Sequence, residues 1–415
     1  MREFILSVLF FMAIFSFKVP IVYNSSLLAF LLSFFFIKGD SLNLFSRYLS
    51  TKVVWLLMGL LCTPFIYALF STTAHGVYDF TFLRIVFGNI IYFIITSWLV
   101  VLLFCNMGAD FDIEKIIFRV FLWQSLIILL AFIVPEFRDF IQLFQDQNQA
   151  EVANDYYGGG VRGLALSGGQ FFNLSAVFAL VLTLSFIKMS YGKFSSKQFA
   201  IILFVFLMSL TTGRTTFVGF MFGLVFLSFS TRNLLYLTRF YFFSIVIFAF
   251  VYFIQPPFLK VLFSSLESYS KFAFEFIYNY QSTGKVSTES TEHLKTMYFI
   301  PELKTIIFGD GAYTNADGSY YMKTDSGYMR QILLFGLFGL VSFMMYNFIM
   351  IYHYSKSYGR NYKYKILLTM YGLLMVLHYK GEVFGYLITV NQILVSLFSW
   401  SIIRKKIIYQ NRDYT

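Results

Sequence analysis

The sequence predicts an all-α, polytopic transmembrane helix bundle of about 12 spans with one long outer loop. Three observations carry that expectation. Hydrophobic residues fill 58% of the 415 positions and charged residues only 13%, far from the balance of a soluble globular chain. Apolar runs such as 82–104 are as long as a bilayer core demands. No strict two-residue alternation suited to barrel strands occurs, so spans this apolar must satisfy their backbone amides internally, as helices.

Hydropathy places the spans near 4–17, 25–37, 53–70, 85–105, 116–134, 171–187, 199–210, 215–229, 240–254, 331–352, 366–379 and 383–403. The first follows Met1-Arg2-Glu3 like a signal sequence but has no small-x-small cleavage site after it, so it reads as an uncleaved span. One integral membrane domain over 1–415 accounts for the whole length.

Charge sets the orientation. With both termini inside, 19 lysines and arginines lie on the inner side against 6 in the short outer loops, seven more belonging to the long outer loop that the positive-inside rule does not weigh. The segment 110–115 is the exception, being a net acidic inner loop. The net charge of +11 is scattered through short loops with no basic aromatic groove, which argues against a nucleic-acid partner and for membrane lipids. Cys62 and Cys105 sit inside apolar runs, away from any C-x-x-C spacing or histidine cluster, so neither a disulfide framework nor a metal site is expected.

Two outer segments stand apart. The first, 135–170, contains Gly158-Gly159-Gly160 and Gly168-Gly169 and is too glycine-rich for a plain span. The second, 255–330, has aromatics at helical spacing over 258–280, like a helix lying on the membrane surface. A loop follows over 282–291, then a short helix over 291–300 stopped by Pro301.

A charge at bilayer depth costs about 2.5 to 3.5 kcal/mol on the insertion scale, so arginines at the outer ends of spans need a reason. Arg162 precedes Gly163, with Asn173 opening the next span; Arg214 occupies the polar hinge 211–216; Arg330 begins the span after the long loop. Either each snorkels to headgroups, or the planar, permanently charged guanidinium groups converge on a diphosphate. A second constellation joins Phe308-Gly309-Asp310-Gly311, Asp325-Ser326-Gly327-Tyr328 and the glycine pair Gly336 and Gly339. Its glycines permit a tight turn, and Asp325 either caps the following helix or accepts a proton from a hydroxyl. Lys380 and Glu382 read as a salt-bridged turn. Outer-loop tyrosines, namely Tyr156, Tyr157, Tyr313, Tyr320, Tyr321 and Tyr328, are candidate sugar contacts.

Taken together, Arg162-Gly163 with Asn173, the Gly-Arg-Thr hinge at Arg214 and the stretch from Phe308 to Gly339 resemble the O-antigen polymerase and ligase superfamily of bacterial inner-membrane proteins, above all the polymerases often called Wzy. The resemblance implies a glycosyltransferase that polymerises polyprenyl-diphosphate-linked oligosaccharide on the periplasmic face of the inner membrane, without a cofactor. A flippase and a chain-length regulator would be its partners in the membrane. It also implies Arg162, Arg214 and Arg330 as diphosphate ligands and Arg214 and Asp325 as catalytic groups. The related ligases typically carry a histidine where Asp325 stands, which favours the polymerase over the ligase that moves polymer onto lipid A core. His293 in the long loop is the alternative base. A flippase is the rival from another class, but buried mid-span charges and repeated halves are not evident.

Overall fold

The computed structural model describes residues 2–20, 22–108, 111–155, 162–191, 195–229, 238, 275–285, 288–315 and 317–412. The span expected at 240–254, the surface helix expected at 258–280 as far as residue 274, the cluster Gly158-Gly159-Gly160 and the side chains Tyr156 and Tyr157 lie outside the described residues.

In chain order the helices are α1 (Arg2–Phe15), α2 (Ser25–Ser33), α3 (Ser41–Leu49), α4 (Lys52–Ala74), α5 (Leu83–Met107), α6 (Ile113–Ile133), α7 (Pro135–Gln142), α8 (Gln147–Asp155), α9 (Phe172–Tyr191), α10 (Ser196–Ser209) and α11 (Thr216–Ser228). They continue with α12 (Glu275–Thr283), α13 (Glu289–Thr296), α14 (Leu303–Phe308), α15 (Gly327–Ser355), α16 (Arg360–Lys380) and α17 (Ile388–Arg412). Among the described residues there is no strand, only an isolated antiparallel bridge between Thr314 and Tyr320. Among the described residues five helices, α4, α5, α6, α9 and α15, are long and apolar enough to cross a membrane, and α2, α10 and α11 are shorter apolar helices. The chain is therefore all-helical in its described part and has the character of a membrane protein.

Several boundaries differ from the hydropathy reading for local reasons. Pro135, which closes the run at 116–134, also opens α7 at its first position, where a missing N–H costs nothing and Glu136 favours the positive helix end. The last long helix begins at Ile388, not 383, because Gly385 takes φ +67 and the amides of Val383 and Phe384 turn back to donate to His378 Nδ1. The short helix before Pro301 ends at Thr296. α3, α8 and α14 form in stretches too polar or too short for hydropathy to mark.

Two compact units divide the chain: a split unit, 1–120 with 293–415, and an inserted unit, 121–292. In the split unit, neutral polar side chains tie distant helices together. Asn391 donates to Asn89 Oδ1 at 2.8 Å, Asn89 donates to the Gly385 carbonyl at 2.8 Å, and the Tyr346 hydroxyl donates to Asn391 at 2.8 Å. The hydroxyls of Tyr48, Ser97 and Ser399 share hydrogen bonds of 2.8 to 3.1 Å. Such interhelical bonds contribute about 0.6 to 2 kcal/mol each in a membrane setting.

α15 is broken at Gly336, whose φ of 64° and ψ of −169° belong to a region that is essentially glycine's alone. The turn after α14 fits against that break. Asp310 N donates to the Leu333 carbonyl at 2.6 Å, a Cβ on Gly309 would stand 2.6 Å from the Leu334 carbonyl oxygen, and one on Gly336 would collide with the Ile307 carbonyl. The glycine turn and Gly336, the first of the glycine pair singled out in the sequence, thus meet in space, backbone to backbone, while Gly339 faces Phe335 of its own helix.

In the inserted unit, Gly219 and Gly223 let α11 pack directly on α9. A Cβ on Gly219 would strike the Ala179 backbone and one on Gly223 the Phe186 ring, and Thr183 donates to the Gly219 carbonyl at 2.8 Å. Small residues four apart permit this closeness, and the rings of Phe206 and Phe220, stacked at 4.1 Å, seal the next face.

Candidate functional site

The inserted unit carries Arg162 and Arg214. The loop before α9 is irregular, so its carbonyls need side-chain partners. Two buried glutamines supply them: Gln145 donates to the carbonyls of Gly163 and Ala165, both at 2.7 Å, and Gln170 to those of Ala165 and Ser167 at 3.0 and 2.9 Å. Gly163 is required here, because its φ is +71° and a Cβ would approach Ala153 Cβ at 2.6 Å. The result holds Arg162 with its guanidinium 4.6 Å from the centre of the Phe171 ring and Nη2 donating to the Thr212 carbonyl at 3.3 Å.

Thr212 belongs to the turn between α10 and α11, two residues before Arg214. The turn is stabilised by its own hydroxyls, Thr211, Thr212 and Thr216 each donating to a carbonyl three residues back. Gly213 presses on Ser175, where a Cβ would lie 3.0 Å from the hydroxyl. Arg214 forms an ion pair with Glu275 at the start of α12, and both side chains remain 17% exposed. Two of the three arginines singled out by the sequence are thereby brought to one turn.

The split unit carries Arg330, Asp325 and His293. Arg330 lies in the first turn of α15 and is only 5% exposed. Its guanidinium is sandwiched between the rings of Tyr313 and Tyr320, each 3.9 Å away, and Nε faces Glu382 Oε2 at 3.3 Å. The same carboxylate oxygen accepts from the Tyr313 hydroxyl at 2.7 Å. Burial pushes the Glu382 carboxyl up, with Arg330, Tyr313 and Gln331 pulling against it, and burial beside Glu382 raises the Tyr313 phenol well above its ordinary value. The turn expected to pair Lys380 with Glu382 is therefore arranged differently. Glu382, 7% exposed, is committed to Arg330 and Tyr313, because a buried carboxylate gains most from the fixed, permanently charged guanidinium. Arg330 does not snorkel: it points into protein.

Asp79, in the loop between α4 and α5, fastens the Tyr313 segment. Its Oδ2 accepts from Tyr313 N at 2.8 Å, Thr314 N at 2.6 Å and the Thr314 hydroxyl at 3.0 Å, while Oδ1 accepts from Thr81 N and Oγ1. Burial opposes ionisation of Asp79, but the donors of Thr81, Thr314 and Tyr313 outweigh it and hold the carboxyl below its ordinary value.

Asp325 stands at the rim beside these residues. Crowding raises its carboxyl above the ordinary value, while His293, Arg330 and Lys380 pull it down, in that order. Lys380 is thus among the charges that favour the ionised form of Asp325. Ser326 is the residue preceding α15 and makes no side-chain cap bond to it, and Asp325 stands one residue further out. Aromatic surface adjoins: Tyr298 and Tyr379 stack at 4.6 Å, Tyr298 donates to the Tyr379 carbonyl at 2.6 Å, and burial raises the Tyr298 phenol to about 12. The exposed carboxylate, a histidine, a lysine and flat aromatic rings form a group able to orient a polyol and take up a proton.

Sequence reading overlooked Glu275 and Asp79 and paired Glu382 wrongly. Each is a carboxylate whose partner lies far along the chain, and the available signal was the scarcity of acidic residues in so apolar a sequence.

The described residues are those of a helical chain with membrane-protein character, with a cationic locus in the inserted unit and a mixed one in the split unit. No family model, curated protein or solved structure matches the chain.

Proposed function

We propose that the protein is a membrane glycosyltransferase that polymerises polyprenyl-diphosphate-linked oligosaccharide repeats on the periplasmic face of a bacterial inner membrane. The observation that carries this reading is the shared turn of Arg162 and Arg214, two permanent cations, the first donating to the Thr212 carbonyl and the second two residues along the same turn, neither of them fully buried. A diphosphate is the natural partner of such a pair. The Glu275 carboxylate holds the place at Arg214 that an anionic substrate would take in exchange.

In the reaction, the acceptor sugar hydroxyl attacks the anomeric carbon of the donor, the bond to diphosphate breaks, and the leaving diphosphate gathers negative charge. Arg162 and Arg214 stabilise that charge. Asp325, with His293 and Lys380 around it, orients the hydroxyl and takes its proton. Arg330 is assigned a positioning role instead of a diphosphate ligand's, since Glu382 already matches its charge and tyrosines cover both its faces.

One observation favours a second reading. His293 acts on Asp325, so a histidine base of the kind the resembling ligases use is near at hand, and transfer of finished polymer to lipid A core is the alternative. A gel of surface lipopolysaccharide from a strain lacking the gene, run beside an assay of polymer on the carrier, separates the cases. Core bearing one repeat and no ladder is expected. Bare core with long polymer on the carrier makes the protein the ligase, and bare core with unpolymerised repeat facing the cytoplasm makes it the flippase.

A further inference from the structure

The segment 300–308 leaves its apolar side chains uncovered. Ile300 is 93% exposed, Leu303 72%, Ile307 43% and Phe308 53%. The spacing of four places Leu303 and Ile307 on one side of the short helix α14, and Ile300 lies in the extended lead-in just before it. Thr305, on the other side, is buried and donates to Asp310 Oδ1 at 2.6 Å.

This patch continues into helices that qualify as membrane spans. The Tyr67 hydroxyl of α4 donates to the Phe308 carbonyl at 2.9 Å, and the Tyr67 ring lies 5.3 Å from that of Phe338 in α15. Exposed Phe70, Leu337, Phe338 and Val341 extend the apolar surface along α4 and α15.

Depth points the same way. The turn at Phe308 and Gly309 packs on Gly336, which lies nine residues past Gly327, or about 14 Å of helix rise. Measured from Gln331, where the apolar run begins, it is still about 7 Å down. An irregular turn survives at such depth only if its backbone is paired within the protein. Here it is: Gly309 N donates to the Thr305 carbonyl at 2.8 Å, Asp310 N to Leu333, and the Phe308 carbonyl accepts from Tyr67.

We infer that the apolar side chains of 300–308, Ile300, Leu303, Ile307 and Phe308, enter the acyl chains of the bilayer as an anchor, and that this face is not part of a water-exposed loop. The occupant of the patch is lipid, because the patch is continuous with the surface of two spans and the turn that closes it, at Phe308 to Asp310, is paired within the protein. The inference holds whatever reaction the protein performs. Glu302 and Lys304, both exposed, mark the polar margin of the anchor at the headgroups.

The test uses the full chain with Cys62→Ala and Cys105→Ala, purified into phosphatidylcholine vesicles, carrying a single environment-sensitive fluorophore on Ile300→Cys, Leu303→Cys or Ile307→Cys, with Lys304→Cys as the polar control. Acyl-chain-brominated lipid is expected to quench the labels at 300, 303 and 307 several-fold more than at 304, and iodide the reverse. Iodide quenching at 303 and 307 equal to that at 304 overturns the inference in favour of water. Protection from both quenchers, with cross-linking at 303 to a second copy, overturns it in favour of a protein cover. The labelled positions are exposed, so each result reads on the surface itself.

Discussion

Arg330 and Arg214 look alike in sequence, each an arginine at the edge of an apolar run, yet their surroundings oppose one another. Arg330 is 5% exposed, sandwiched by two tyrosines and matched by a carboxylate that is itself buried. Arg214 and its partner Glu275 each keep 17% of their side-chain surface. The first pair has given its charge wholly to architecture, tying the Tyr313 segment to α15. The second retains a charge that a ligand can compete for. Charge at a helix end is thus no functional signal by itself; both arginines have a carboxylate partner, and what differs is how far each pair is enclosed.

The most severe test of that contrast is to remove one member of the enclosed pair. Arg330→Ala or Glu382→Ala leaves a buried charge unmatched and is expected to destabilise the split unit by about 3 to 5 kcal/mol, read as a lowered midpoint in detergent unfolding. The double replacement Arg330→Met with Glu382→Leu should recover much of that loss, and a double variant as unstable as the singles would make the pair incidental.

Next in size is the backbone contact beneath it. Gly336→Ala sets a methyl against the Ile307 carbonyl in a glycine-only conformation and is expected to cost about 2 to 3 kcal/mol, while Gly339→Ala keeps ordinary helical angles and meets the Cβ of the buried Phe335 instead of backbone. Asp79→Ala removes the acceptor of several amides and hydroxyls and should cost about 2 kcal/mol. Because the folded-state carboxyl of Asp79 is depressed, its contribution is complete above the ordinary value of 3.8 and is lost as pH falls below it. An acid titration of wild type and Asp79→Asn should therefore converge at low pH.

Arg214→Ala should cost less stability than loss of Arg330, since Arg214 and Glu275 keep more of their surface, while abolishing the polymer ladder. A stable variant with a normal ladder would dismiss the diphosphate reading. Asp325, with its carboxyl raised, is needed ionised as a base, so activity should fall on the acid side at a pH above the ordinary aspartate value of 3.8, and Asp325→Asn should flatten that limb.

The apolar helices were legible in the sequence because hydropathy is a local sum. Runs at 53–70 and 85–105 became α4 and α5 nearly as expected. The glycine turn and Gly336 were also legible as needing special backbone, though not that they need it for each other. The partners of the arginines were not legible, since Glu275 and Glu382 reach them only through the tertiary fold. The same limit hid Gln145, whose amide pins a loop that the glycines alone would have left open.

The Asn89 to Asn391 bond has a consequence in time. Its partners stand 302 residues apart, and Tyr48 waits for Ser399 across 351. At a synthesis rate of about 5 to 20 residues per second, α5 spends about 15 to 60 s in the membrane before α17 arrives to satisfy it. During that interval the asparagine must borrow a hydrogen bond from water, a headgroup or a chaperone, and α17 completes the split unit when it displaces that temporary partner.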